Sequence, residues 1–279
     1  MRNPRRKIAF VLAASDHGTM IVDRFDYRMV DQHAGIGVGY QILEGASFDA
    51  QEVDMALSLL GLRRQYFGNG VVAVDCGANI GVHTVEWANR MSGWGEVIAI
   101  EAQERLFYAL AGNIAINNCF NARAMHAAVA AKTGTMRVPT PDYLRAGSFG
   151  SLELRQRDGV EYIGQPIDYS DEKASVIRTV TIDSLELARL DLIKIDVEGM
   201  ELEAIEGAGA SLARSRPVLI VEAIKTDKAR LRLVLENLGY RLFEMGLNLL
   251  AVHETDKTLT HVKRGNGGGP GQSAAGSAI

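Results

Sequence analysis

From residue 70 onward, short apolar runs alternate with longer stretches whose apolar positions recur at helical spacing. Strands buried on both faces read as nearly uninterrupted apolar runs and are covered by amphipathic helices, so this alternation predicts an α/β architecture with a mostly parallel sheet and helices on both faces. The runs predict strands at 71–75, 97–100, 123–127, 191–196 and 217–222, and helices at about 81–92, 103–117, 199–213 and 227–238. The closing pair, YRLFEMG and LNLLAVHE, predicts an antiparallel hairpin.

Before residue 70 the periodicity is weaker. Lys7 to Leu12 reads as a strand that pairs with TMIVDRF across a turn at Ser15 to Gly18, and short strands and turns continue to about residue 47. SFDAQEVDMALSLLGLRRQYFG then reads as a helix with Ser47 as its N-cap. Residues 1–69 are thus expected to form a β/α cap on a main domain at 70–264. Residues 139–176, rich in Gly, Pro, Ser and charge, interrupt that domain with an insertion that is either a lid or a disordered loop. The low-complexity stretch 265–279 is expected to be a flexible tail, and the basic start RNPRRK a solvated terminus.

Composition narrows the function. With 279 residues, 47% of them apolar and 23% charged, the chain has the makeup of a soluble globular protein. A net charge of −4 gives no general attraction to phosphate backbones, which sets nucleic acid aside, and no apolar run approaches the ~20 residues of a membrane span. The two cysteines, Cys76 and Cys119, are too few for a disulfide framework or a zinc knuckle, and a reducing, cytoplasmic location fits them. The start MRNPRRKIAFVLAA imitates a secretory signal, but its apolar run is at the short limit and reads better as a strand.

The first chemistry-bearing segment is VVAVDCGANIGVHTVEWA, residues 71–88. Gly77 and Gly81 frame a turn between a strand and a helix, where free backbone N–H groups meet a ligand. The nicotinamide fingerprint G-x-G-x-x-G lacks its middle glycine here, which counts against an NAD oxidoreductase. Asp75 sharpens the difference, because a carboxylate repels a pyrophosphate and attracts a ligand carrying an ammonium and a sulfonium. Glu101, ending VIAIEAQ, stands where an acid accepts ribose hydroxyls. A nucleoside with a positively charged aminoacyl arm is S-adenosylmethionine. The plainer reading is that both acids cap the helices that follow.

With VDCGANIGVHT and LIKIDVEGMELEAIEGA in hand, and VIAIEA and VTIDSL between them, residues 70 to 255 resemble the FkbM family of S-adenosylmethionine-dependent methyltransferases. The second motif is the more specific of the two. The resemblance implies the Rossmann-like class I methyltransferase fold, a seven-stranded sheet with an antiparallel last strand, and methyl transfer to a hydroxyl of a sugar or small molecule. By position it implies that Asp75, Gly77, Asn79 and Gly81 cradle the methionine part of the cofactor, that Glu101 holds the ribose, and that His126 to Ala128 flank the adenine. The N-terminal seventy residues carry no matching motif.

IKIDVEGME places Asp196 and Glu198 at the carboxyl edge of the sheet, and Glu222 closes the next strand at the same edge. Methyl transfer requires the acceptor oxygen ~3–3.5 Å from the methyl carbon and a group that removes its proton. A carboxylate takes that proton or orients a histidine that does. Asp196, Glu198 and Glu222 are therefore the catalytic candidates, with Asp196 also beside the cofactor. Three such acids also read as oxygen ligands for magnesium, as in catechol-type O-methyltransferases, but Ala223 stands where that pattern puts an amide, so no metal ligand is assigned. Lys194 is expected to pair with one of these acids, and Glu201 and Glu203 to favour a helix start. Thr84 is a candidate partner of the cofactor carboxylate, His83 and His253 are lesser candidate bases, and Cys76 reads as a small buried hydrophobe. Tyr143, Phe149 and Tyr162 in the insertion are placed to line an acceptor pocket.

The leading expectation is an O-methyltransferase acting on a small molecule or glycan. The alternatives are nitrogen methylation of nucleic acid or protein, against which DVEG stands where an N-P-P-Y-type segment would be, and a non-catalytic cofactor-binding module. A homo-oligomer is left open.

Overall fold

A computed structural model describes residues 7–32 and 34–262; the expected tail at 265–279 and residues 2–6 of the basic start lie outside the described residues. The N-terminal part consists of the antiparallel hairpin β1 (Phe10–Ser15) and β2 (Gly18–Asp23), the small ribbon β3 (Arg28–Met29) and β4 (Gly35–Ile36), and helices α1 (Val38–Gly45) and α2 (Ala50–Phe67). The main domain follows as β5 (Val71–Cys76), α3 (Val82–Arg90), β6 (Gly95–Glu101), α4 (Glu104–Ile116), β7 (Ala122–His126), β8 (Ala128–Val129), β9 (Gly134–Val138), β10 (Ser175–Val180), β11 (Leu192–Ile195), α5 (Glu201–Glu206), α6 (Gly209–Ser215), β12 (Val218–Glu222), α7 (Lys228–Asn237), β13 (Tyr240–Met245) and β14 (Asn248–His253).

Seven strands form one sheet in the order β13-β14-β12-β11-β5-β6-β7. From β12 to β7 every pairing is parallel, and β14, the last strand in the chain, runs antiparallel to both its neighbours. Residue parity divides the core. Val74, Ile98, Ile193 and Leu219 pack on one face, while Val71, Ala73, Leu192, Val218 and Ile220 pack on the other, together with residues of α2 and α3. Because side chains alternate across a strand, Asp75, Lys194 and Glu222 continue the second set. The apolar period therefore runs into charge at the carboxyl ends of three neighbouring strands, on the face that α2 and α3 cover.

Four expectations are corrected. The first hairpin turns at Asp16 and His17, inside the expected turn, and β1 begins at Phe10 rather than Lys7. Residues 38–45, expected as turns, form α1, whose first-turn Gly39 N–H donates to the distant Asp26 carboxylate at 2.9 Å. Helix α2 starts after Asp49, which is left-handed at φ 45° and makes no side-chain cap; Ser47 sits outside it, with its hydroxyl 3.5 Å from His17 Nε2. The single helix expected over 199–213 is two, because the Gly207 carbonyl accepts the Asp183 N–H and the Asp183 carboxylate caps Ala210 and Ser211 as a new start.

The insertion is ordered and packed. Phe149, Leu152 and Ile163 are buried, and the Phe149 N–H donates to Asp26 Oδ1 at 2.9 Å. Asp26 therefore holds the N-terminal end of α1 and the insertion together, and burial pushes its carboxyl up to about 6 despite those N–H donors. The cap is tied to the sheet as well: buried Arg63 of α2 pairs with Asp191, at the foot of β11, and with Asp256. No helix among the described residues is long and apolar enough to cross a membrane.

Candidate active site

The turn after β5 is built from left-handed backbone. Gly77, Asn79 and Gly81 all have positive φ (78°, 53° and 90°), yet the N–H groups expected to be free for a ligand are spent inside the protein: Ile80 donates to Asn79 Oδ1 and Gly81 to the Ala78 carbonyl. The Gly77 and Ala78 N–H groups both donate to the Ile100 carbonyl, which locks the turn to β6. Asp75, 1% exposed, accepts the Thr84 hydroxyl on Oδ2 at 2.7 Å, while its buried Oδ1 has no partner among the described residues. Glu101 accepts the Asn79 N–H at 2.8 Å and the Gln103 N–H at 2.7 Å. Burial outweighs these bonds and pushes its carboxyl up to about 7.

One cavity joins this turn to the ends of β11 and β12. Asp75, Gly77, Asn79, Glu101, Ala128, Asp196, Glu198 and Glu222 all line it, so most of the expected residues meet in one place. Three do not line it. Thr84 is fully buried and its hydroxyl is spent on Asp75. Gly81 faces α4, where a Cβ would collide with Leu110. The His126 ring stacks on Phe107 with its Nε2 3.1 Å from the Ala102 carbonyl, and its neighbours Ala127, Ala128 and Val129 take the cavity wall instead.

Carboxylate oxygens of Asp196, Glu198 and Glu222 lie within 4.8 Å of one another. Lys194 Nζ donates to Asp196 Oδ2 at 2.7 Å, and Lys225 pairs with Glu198 and, at 2.9 Å, with Glu161 of the insertion. Among the described residues Glu222 has no such ammonium, and its buried Oε2 lacks a hydrogen-bond partner. Burial, and then the Asp196 charge, push the Glu222 carboxyl up to about 8, while burial and Asp196 also raise Glu198. Of the other candidate bases, His83 lines the cavity with Nε2 3.3 Å from Glu52 of α2, whereas His253 bonds Thr255 and does not line it.

The sequence pattern of the Methyltransferase FkbM domain matches residues 75–242, more than half of the chain. The chain belongs to the FkbM methyltransferase family. Solved structures that resemble this FkbM protein include methyltransferase FkbM from Methylobacillus flagellatus KT (18% identity, TM-score 0.46, covering 69% of this chain and 48% of that one). Others are a precorrin-6y C5,15-methyltransferase from Geobacter metallireducens GS-15 (16%, 0.42, 75% and 89%) and the Pyrococcus abyssi tRNA (uracil-54, C5)-methyltransferase with S-adenosyl-L-homocysteine (13%, 0.42, 88% and 44%). The chain spans about half the length of the Methylobacillus protein. No curated protein matches it.

The residues present in this FkbM protein fit the S-adenosylmethionine that its family implies. Among the described residues Asp75 Oδ1 is unpartnered and suits an ammonium, and Glu101 lines the cavity with lone pairs beyond its backbone N–H donors. A divalent ion fits less well, since two of the three clustered acids already hold ammonium groups that supply the same counter-charge.

Sequence reasoning missed the N-terminal wall of the cavity, formed by Ile36, Val38, Phe48 and Asp49. Asp49 lies among Glu52, His83, Lys194 and Asp196, and burial first, then the Glu52 charge, raise its carboxyl. The one sequence signal was its position as a helix-start residue, which carries no information about a cavity 26 residues ahead of Asp75 in the chain. Of the insertion's aromatics, Tyr143 and Phe149 pack on each other behind the wall and Tyr162 is exposed; Ser148, Gly150 and Leu152 line the cavity instead.

Proposed function

We propose that this protein is an S-adenosylmethionine-dependent O-methyltransferase that acts on a hydroxyl of a small molecule or carbohydrate in the cytoplasm. The observation that carries the reading is Glu222: a carboxylate with a free oxygen, beside two ion-paired acids, in the cavity that also holds the cofactor turn. Its pKa of about 8 is near the value at which a general base is most effective around neutral pH. A hydroxyl needs such a base, because it is a poor nucleophile until its proton is taken.

S-adenosylmethionine, when bound, supplies a methyl group on a sulfonium. Asp75 would hold the ammonium of its aminoacyl arm, and Glu101 would accept from its ribose hydroxyls. The Glu222 carboxylate takes the proton of the acceptor hydroxyl, with Asp196 and Glu198 orienting the acceptor. Lys194 and Lys225 hold those two acids in place through their ion pairs. The wall from the cap and the insertion keeps bulk water from the acceptor side.

The test is methyl transfer from isotopically labelled S-adenosylmethionine to a panel of sugars, phenols, aliphatic alcohols and amines, with the product's bond type established by mass spectrometry. Label in an ether supports the reading. Label in an amine, or none with a cofactor-binding protein, overturns it.

A further inference from the structure

The cavity carries six carboxylates, Asp49, Asp75, Glu101, Asp196, Glu198 and Glu222. Such a lining attracts the ammonium and sulfonium of the cofactor and repels the carboxylate at the end of the same aminoacyl arm. That carboxylate needs a positive partner. Among the described residues that line the cavity, the candidates are Lys194 and His83. His83 points Nε2 at Glu52, whose other oxygen is held by Asn248.

Lys194 is placed differently. It lies opposite Asp75 in the β11·β5 pairing, on the same face of the sheet, and is 6% exposed. Its ammonium carries three N–H donors and makes one hydrogen bond among the described residues, to Asp196. Two donors are therefore left at a buried cation that borders the cavity next to the carboxylate expected to hold the cofactor's ammonium.

We infer that Lys194 anchors the carboxylate of the cofactor's aminoacyl arm while Asp75 takes its ammonium, so that the two residues together read a free amino acid end. The inference rests on the S-adenosylmethionine reading above. Its rival is the start of α3, where first-turn N–H groups of a nine-residue helix also suit an anion.

Calorimetry separates them, using the full chain, S-adenosylmethionine, and its decarboxylated analogue, which keeps the ammonium and the sulfonium. The wild type should bind S-adenosylmethionine roughly 10- to 100-fold more tightly than the analogue, the span of a charge-assisted hydrogen bond. Lys194→Met should bring S-adenosylmethionine down to the analogue's affinity and leave the analogue unchanged or tighter. If Lys194→Met binds S-adenosylmethionine as the wild type does, or if the two losses simply add, the anchor is elsewhere. A wild type that binds neither compound removes the cofactor reading itself.

Because Lys194→Met leaves Asp196 without its ammonium, a wild-type crystal structure with S-adenosylhomocysteine gives an independent readout. Lys194 Nζ within ~3 Å of the ligand carboxylate supports the inference. A carboxylate seated on the α3 N–H groups, out of reach of Nζ, overturns it.

Discussion

Gly77 passes so close to the carbonyl of Asp196 that no side chain fits between them: a Cβ on Gly77 would collide with that oxygen and the carbon that bears it. The contact joins the two turns that carry the cofactor acid and the acid cluster, and the Asp196 N–H donates to the Cys76 carbonyl at 3.0 Å beside it. Gly77→Ala adds left-handed strain to this collision, so it should cost roughly 2–6 kcal/mol of stability. Chemical denaturation measures it; a loss below 1 kcal/mol would show that the turns have room to part.

Glu222→Gln should lower kcat by roughly 10²- to 10⁴-fold, the usual worth of a general base. The base works in its ionised form, so wild-type kcat/KM should rise with pH toward about 8 and level off above it. In the variant that rising limb should vanish. A limb that persists in Glu222→Gln assigns the proton acceptor to another group.

Cofactor binding should release a proton through Glu101. Its pKa of about 7 in the free protein reflects burial, and ribose donors with a nearby cation favour the carboxylate form, which lowers that pKa on binding. Affinity for S-adenosylmethionine should therefore increase from pH 5.5 to 7 and flatten above it. Titrations at pH 6 in buffers of different ionisation enthalpy count the proton, and Glu101→Gln should release none.

Thr84→Val, nearly isosteric, should weaken S-adenosylmethionine binding by roughly 3- to 30-fold without touching the ligand, because it frees the Asp75 carboxylate to turn away from the cavity. Unchanged affinity in a calorimetric titration would mean that Asp75 is held by its strand alone.

Arg63→Met leaves Asp256 buried without its cation, while Asp191 keeps Arg189, and should destabilise the protein by about 3–5 kcal/mol. Thermal unfolding should remain a single transition, since the buried apolar packing of α2 on the sheet and the Asp26 contact with the insertion still join the cap to the main domain; two transitions would make the cap a separate module.

The sheet was legible because its strands are apolar on both faces: five runs predicted strands that lie within two residues of those observed, and the acids that end them mark the cavity edge. Helix α1 was not legible, since Gly37, Gly39 and Gly45 dilute its apolar spacing and its start is held by Asp26 from a distant loop. The break at Gly207 depends likewise on Asp183, and the pairings of Glu52 with His83 and of Glu161 with Lys225 exist only once remote segments meet. Gly81 and His126 were expected at the cofactor from their place in the family's pattern and Thr84 from its hydroxyl at the helix start; position in sequence does not fix which way a side chain faces in a turn or at a strand end.

Arg28, Glu161, Lys225 and Glu198 form a chain of charges from the cap through the insertion to the acid cluster, and its outer members are more exposed than its inner ones: 27% and 32% against 8% and 14%. Salt screens the outer link and spares the inner one. Rising ionic strength therefore weakens the Arg28–Glu161 link while Glu198 keeps its counter-ion, and the insertion stays on the cap through the buried Asp26 carboxylate, which salt does not reach.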